Sequence, residues 1–168
     1  FISVAEMASL LGVKVVYADI DMTTCLMDAR LVEEKITSRT KAIFPVSLYG
    51  QCFDSEAFEV LSEKYDVPIV EDAAQSFGAL RKGRRSCGLS DIAITSFFPS
   101  KPLGAYGDGG AVFVKDDRLA ERIRSISMHG QSQRYDHRIL GLCGRLDTIQ
   151  ASVLLSKLTI FSDEVEKR

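Results

Sequence analysis

The sequence predicts a three-layer α/β fold, with helices covering both faces of a mostly parallel sheet. Two observations lead there. Helical and strand patterns alternate along the 168 residues at the spacing of a βαβ series. The strand candidates are also continuous apolar runs rather than alternating ones, as expected where a sheet is covered on both sides. No internal repeat, low-complexity tract or Pro/Gly-rich linker divides the chain.

The elements follow in order. Ser3–Leu11 reads as a short helix stopped by Gly12, a residue suited to a helix C-terminus. Val13–Ala18 is a β-branched run and reads as a strand ending near Ile20-Asp21. Asp28–Ile36 is helical, with Asp28 as N-cap. Lys41–Ser47 is strand-like but interrupted by Pro45, which has no N–H for a ladder. Asp54–Tyr65 is an amphipathic helix capped by Asp54 or Ser55, and Val67–Val70 is a buried strand. Gly78–Gly88, carrying Arg81, Lys82, Arg84 and Arg85, reads as a solvated hairpin-like excursion. Ile92–Phe98 and Gly110–Val114 are two further strands. Asp117–Met128 and Asp147–Phe161 are helices, the second with Asp147 as cap.

Composition narrows the function. A net charge of −2 with interspersed acids and bases gives no footprint for nucleic acid. No apolar run reaches the ~20 residues of a membrane helix, and no signal-peptide pattern opens the chain. Cys25, Cys52, Cys87 and Cys143 show no metal-ligand or paired spacing, so they read as reduced thiols of a cytoplasmic protein. The chain starts at Phe1 and stops within a charged helical pattern, Glu164-Val-Glu-Lys-Arg168, and is expected to be part of a longer protein.

Chemistry concentrates in two places. Lys101 lies between a hydrophobic run and the glycines 104, 107, 109 and 110, directly before Pro102. Asp72 ends the apolar strand Val67-Pro-Ile-Val-Glu-Asp. Ligands of open α/β sheets gather beyond the carboxyl ends of strands. An acid and an amine at two such ends suit pyridoxal 5′-phosphate (PLP), whose ring nitrogen needs a carboxylate and whose aldehyde needs an amine. Each residue has a plainer reading. Asp72 is equally readable as a helix cap, and lysines are usually solvated. Against the second stand the apolar neighbours Phe97, Phe98 and Leu103 and the extended backbone that Pro102 imposes.

Gln75 follows two alanines that leave room for a flat ring, and its amide is placed to reach a phenolic oxygen. Ser96 and Ser100 flank the lysine segment with hydroxyls suited to a phosphate. The glycines lead into a strand and do not match a dinucleotide fingerprint. His129 and His137 have no metal spacing and read as structural. Arg145 precedes a helix start, where the dipole disfavours a cation, so it is expected to grip an anion or a carboxylate.

In combination, Glu71-Asp-Ala-Ala-Gln-Ser76, Ser96-Phe-Phe-Pro-Ser-Lys-Pro-Leu-Gly104, Tyr106-Gly-Asp-Gly-Gly110, His129-Gly130 and Arg145-Leu-Asp-Thr-Ile-Gln150 resemble the DegT/DnrJ/EryC1/StrS sugar aminotransferases. The resemblance runs over the whole chain, through Tyr17-Ala-Asp-Ile-Asp21, Thr40-Lys-Ala-Ile43 and Val46-Ser-Leu-Tyr-Gly-Gln51. The Thr95–Gly104 stretch and Arg134-Tyr-Asp-His137 most resemble members acting on UDP-linked 3-keto hexuronates.

The resemblance implies the large domain of a fold-type I PLP enzyme, working as a homodimer with shared active sites in surface-polysaccharide biosynthesis. L-glutamate would be the amino donor and a nucleotide-linked keto sugar the acceptor. By similarity, Lys101 forms the Schiff base with PLP and moves the proton, and Asp72 pairs with the ring nitrogen. Gln75 touches the cofactor's face or phenolic side, Ser96 binds its phosphate, and Phe1 stacks on the ring. Arg145 takes the substrate carboxylate across the dimer. The family usually has asparagine where this chain has Cys143, at the position that meets the partner's cofactor phosphate, and a thiol is the poorer donor. The resemblance also places a phosphate-binding segment before Phe1 and a smaller domain beyond Arg168. A dehydratase sibling carries histidine in place of the lysine, and Lys101 argues against it. The competing reading from a different class is a non-catalytic α/β module that keeps the fold for binding or regulation.

Overall fold

The computed structural model describes residues 1–168. Its central sheet has the order β1 (Val70–Asp72), β4 (Ile92–Ser96), β5 (Gly110–Val114). β1 and β4 run parallel with Asp72 opposite Ile94, and β5 is an antiparallel edge strand with Gly110 opposite Ser96. On the far side of β1 the chain from Ile43 to Ser47 extends the sheet in parallel, through the bridges Ile43–Ile69 and Val46–Asp72. It forms no regular strand because Pro45 has no N–H. Its carbonyl still accepts from Asp72 N at 3.0 Å, and Ser47 N donates to Asp72 O at 2.9 Å.

Helices α1 (Ser3–Leu10), α2 (Ala29–Glu33) and α3 (Ser55–Tyr65) come from the first part of the chain. Asp28 caps α2 by accepting from Arg30 N, and Asp54 caps α3 by accepting from Ala57 N. The first cap holds only five residues, so α2 is shorter than the sequence suggests. Helices α2 and α3 bury Val32, Phe58 and Leu61 against Ile43, Phe53, Val67, Ile69 and Leu89. Phe53 meets Phe58 edge-on, with centroids 5.5 Å apart.

The excursion after residue 78 is a true hairpin, β2 (Leu80–Arg81) with β3 (Arg84–Arg85). Its turn residues Lys82 and Gly83 have φ of 48° and 80°, the two positive values of a type I′ turn. The hairpin is not simply solvated, because its arginines lace it onto α3. Arg81 donates to Asp54 at 2.6 Å and to Glu56 at 2.9 Å, and Arg84 donates to Glu59 at 2.8 Å.

Helix α4 (Asp117–Ser127) follows β5, and a second hairpin, β6 (Gln131–Gln133) with β7 (Asp136–His137), follows α4. The expected final helix is two, α5 (Thr148–Leu158) and α6 (Phe161–Glu166). Asp147 occupies the N-cap position of α5 but makes no side-chain capping bond. Leu154 of α5 packs with Phe97, Leu103 and Ala105, and Phe77 and Phe161 close that cluster. Gly78, at φ +94°, lets this layer approach: a Cβ there would stand 2.9 Å from the Phe161 ring.

Three sequence expectations are corrected. Residues 13–18 form no strand: nothing in the chain pairs with them, and Val13, Val16 and Tyr17 stay exposed. A β-branched run makes a strand only where a ladder partner exists. The strand expected at 67–70 lies instead at Val70–Asp72, so both acids sit inside it. β4 ends at Ser96, where Phe97 N turns to Gly109 O at 2.7 Å. No helix is long and apolar enough to cross a membrane.

Candidate functional site

Because β1 and β4 are parallel, Asp72 and Ser96 end their strands at the same edge of the sheet. Ala73 N donates to Ile94 O at 2.8 Å and Thr95 Oγ1 donates to Ala73 O at 3.0 Å, which locks the two strand ends together. Asp72 is buried, and its Oδ1 accepts from Ala74 N at 3.0 Å. No helix follows, since residues after 73 form only turns, so the helix-cap reading of Asp72 fails. Its Oδ2 takes no donor from the chain.

Lys101 lies half-buried in the loop between β4 and β5. The loop is folded tightly: Lys101 N donates to Phe98 O at 2.9 Å and Ala105 N to Phe97 O at 2.7 Å. Gly104 is required there, because a Cβ would overlap the Pro99 carbonyl. Helix α5 braces the loop from outside. Gln150 Oε1 accepts from Tyr106 N at 2.8 Å, and Lys157 Nζ donates to Gly104 O at 2.5 Å while lying 4.7 Å from the Tyr106 ring centroid. The Lys101 ammonium makes no hydrogen bond or ion pair, and none joins it to Asp72. Asp72 Oδ2 and the Lys101 side-chain nitrogen thus take no partner from the chain, the first at the end of β1 and the second in the loop that follows β4.

Gln75 and Ser96 border the same edge. Gln75 Oε1 accepts from Tyr49 N at 3.2 Å, leaving its amide nitrogen without an acceptor in the chain. Ser96 Oγ accepts from Phe98 N at 3.2 Å, leaving its hydroxyl hydrogen to donate. The other candidates stand apart. Phe1 is 99% exposed ahead of α1. Cys143 and Arg145 are exposed in the segment before α5, where Cys143 bridges to Met128. No hydrogen bond or ion pair links these three to Asp72, Gln75, Ser96 or Lys101. His137 Nδ1 lies 3.0 Å from His129 O, a structural tie within the second hairpin. No group of His, Cys, Asp or Glu side chains is placed to hold a metal. A broad cleft of about 800 Å³ lies elsewhere, between α4 and the second hairpin, lined by Arg118, Arg122, Arg124, Arg134 and Arg138.

Sequence reasoning missed Glu71. It is fully buried, and three donors converge on it: Ser47 Oγ at 3.1 Å, Ser86 Oγ at 2.8 Å and Cys87 N at 2.9 Å. Burial, with Glu71 close by, pushes the Cys87 thiol up to about 12 and also raises Cys52. The signal was present in the Glu-Asp pair, but the pair alone does not tell which acid faces the interior.

A mixed α/β sheet whose neighbouring parallel strands end together at Asp72 and Ser96 is an architecture shared with aminotransferases. The chain belongs to the DegT/DnrJ/EryC1/StrS aminotransferase family, whose profile matches residues 1–168. It is 58% identical over 168 residues to the UDP-2-acetamido-2-deoxy-3-oxo-D-glucuronate aminotransferase of Pseudomonas aeruginosa, covering all of this chain and 47% of that one. DesV of S. venezuelae, solved in complex with a ketimine intermediate, superposes with a TM-score of 0.94 at 40% identity, over 97% of this chain and 44% of that one. NtdA of Bacillus subtilis, solved with bound cofactor PMP, superposes with a TM-score of 0.86 at 32% identity, over 95% and 37%. The chain spans about half the length of the curated relatives it matches.

Proposed function

We propose that the protein is a PLP-dependent aminotransferase that exchanges the ketone oxygen of a nucleotide-linked keto sugar for the amino group of L-glutamate. The acceptor is a UDP-3-keto-hexuronate, and the product serves surface-polysaccharide assembly in the cytoplasm. The observation that supports this reading is that Asp72, at the end of β1, keeps one carboxylate oxygen without a donor from the chain, while the Lys101 side chain, in the loop after β4, makes no hydrogen bond or ion pair. A carboxylate oxygen that takes no donor from the chain fits a protonated ring nitrogen, and a free amine in a braced loop fits an aldehyde. The residues therefore fit PLP. When bound, PLP would supply an electron sink for the carbon that loses its proton.

Each residue has a defined task in this reading. Asp72 accepts from the ring N–H and holds that nitrogen positive. Lys101 secures the cofactor and then, as a free amine, moves the proton at the substrate carbon. The Gln75 amide nitrogen donates to the phenolic oxygen, because its carbonyl oxygen is already held by Tyr49 N–H. Ser96 donates its hydroxyl hydrogen to a phosphate oxygen. Phe1 stacks on the ring, while Cys143 and Arg145, exposed here, serve the neighbouring site of a homodimer, Cys143 at the phosphate and Arg145 at the uronate carboxylate. The non-catalytic reading is disfavoured, since a purely structural module has no use for an acid and an amine left without partners.

The test uses the full-length protein with PLP. Glutamate should convert the cofactor absorbance to that of the amine form, and UDP-3-keto-uronate should return it. A Lys101→Ala protein that kept normal turnover would refute the assignment. Equal rates on the keto-uronate and the matching keto-hexose, unaffected by Arg145→Ala, would remove the uronate preference.

A further inference from the structure

Glu71 has no part in the scheme above, yet it is the most deeply committed acid of the chain. Its neighbour in sequence is Asp72, and strand alternation sends the two side chains to opposite faces. Ser47 Oγ donates to Glu71 and at the same time accepts from Phe53 N at 3.2 Å, while Ser47 N donates to Asp72 O. One serine therefore ties together the start and the end of the 47–53 turn, the buried acid and the backbone of Asp72.

The turn held this way contains Tyr49 at φ +55°, a left-handed conformation that a non-glycine residue keeps only when its surroundings impose it. In that conformation the Tyr49 N–H reaches Gln75 Oε1. An amide whose oxygen is held has its nitrogen turned the other way, as a donor.

We propose that Glu71 is a positioning residue: through Ser47 it holds the Tyr49 turn, and the Tyr49 N–H fixes which end of the Gln75 amide faces the cofactor edge. The inference rests on the cofactor reading of Gln75 given above, but the linkage from Glu71 to Tyr49 exists without any cofactor. Glutamate fits this place because both of its oxygens are used, one by two hydroxyls and the other by the Cys87 N–H. A glutamine that keeps its oxygen for the Cys87 N–H turns its N–H₂ to the two serines, so Ser47 Oγ, which already accepts from Phe53 N, loses the acceptor for its own hydrogen.

The experiment compares Glu71→Gln, Ser47→Ala, their double variant and Gln75→Ala in the full-length protein. Amide hydrogen exchange of the apoprotein is the first readout. Tyr49 should exchange at least tenfold faster in Glu71→Gln and in Ser47→Ala, the double variant should be no worse than the worse single, and α3 amides should stay protected. The second readout is the pH midpoint of the PLP absorbance, which should move in the direction set by Gln75→Ala in both upstream variants. Unchanged Tyr49 exchange in folded Ser47→Ala, or uniformly faster exchange across the protein, would overturn the proposal. So would faster Tyr49 exchange with an unmoved midpoint while Gln75→Ala moves it. If Gln75→Ala itself leaves the midpoint in place, the cofactor reading of Gln75 fails, and with it the claim that Glu71 acts on the cofactor. The exchange data then still report the linkage from Glu71 to Tyr49.

Discussion

Lys157 Nζ donates to the Gly104 carbonyl at 2.5 Å and lies over the Tyr106 ring, so a helix 53 residues away in sequence fastens the loop that carries Lys101. A charge-assisted hydrogen bond contributes roughly 1.5–3 kcal/mol and an exposed cation–π contact ~0.5–1 kcal/mol. Lys157→Met keeps the stem but loses both, and should destabilise the protein by about 2 kcal/mol in denaturant unfolding. Catalytic rate should fall with it, because the amine of Lys101 is held less firmly.

The Lys101 side chain makes no hydrogen bond or ion pair, and the residue's backbone bond to Phe98 O survives substitution, so removing the amine should barely affect folding. Lys101→Ala should unfold within ~0.5 kcal/mol of the parent while turnover falls to background. Lys101→Arg should be equally inactive, since a guanidinium does not form the imine.

Gly104→Ala should act in the opposite way, through structure. The added methyl meets backbone, the Pro99 carbonyl, and no flexible side chain is there to yield. A loss of ~2–4 kcal/mol is expected, with the β4–β5 loop opening; melting and limited proteolysis after residue 98 would measure both.

The thiols should divide cleanly. Cys25 is exposed and should react with a small alkylating reagent in the native state at pH 8, whereas Cys52 and Cys87 should not. Burial holds the Cys87 thiol at about 12 instead of 9.0. A group whose folded value is raised contributes stability that is fully present below its unfolded value. That share should fade as pH rises from 9.0 towards about 12, and Cys87→Ser should flatten the alkaline limb of a stability–pH curve.

At the acid end the sign reverses. The Arg81 guanidinium, hydrogen-bonded to Glu56, holds that carboxyl at about 2 instead of 4.5. A depressed carboxyl contributes stability present above its unfolded value, so the hairpin's tie to α3 should weaken as pH falls from 4.5 towards about 2. Arg81→Met should remove that acid-limb dependence, and high salt should shrink it, since Glu56 faces solvent.

Much of this was legible in the residues. The caps Asp28 and Asp54 marked two helix starts, the excursion read over Gly78–Gly88 holds a hairpin, and Asp72 ends a strand. Those features are local, or follow from the strand–helix alternation. The misses share one cause. Val13–Ala18 has the composition of a strand but no partner to make it one, and Asp147 stands at a cap position without capping. Gln150 and Lys157 belong to the loop of Lys101 only because α5 returns to it.

By itself, the sequence determined the fold class and the helix starts written in the caps Asp28 and Asp54. Tertiary structure alone decided which member of Glu71-Asp72 serves the interior and which the site edge. The reason is physical: an acid becomes a buried anchor only where donors from distant segments, here Ser47, Ser86 and Cys87, converge to replace its water.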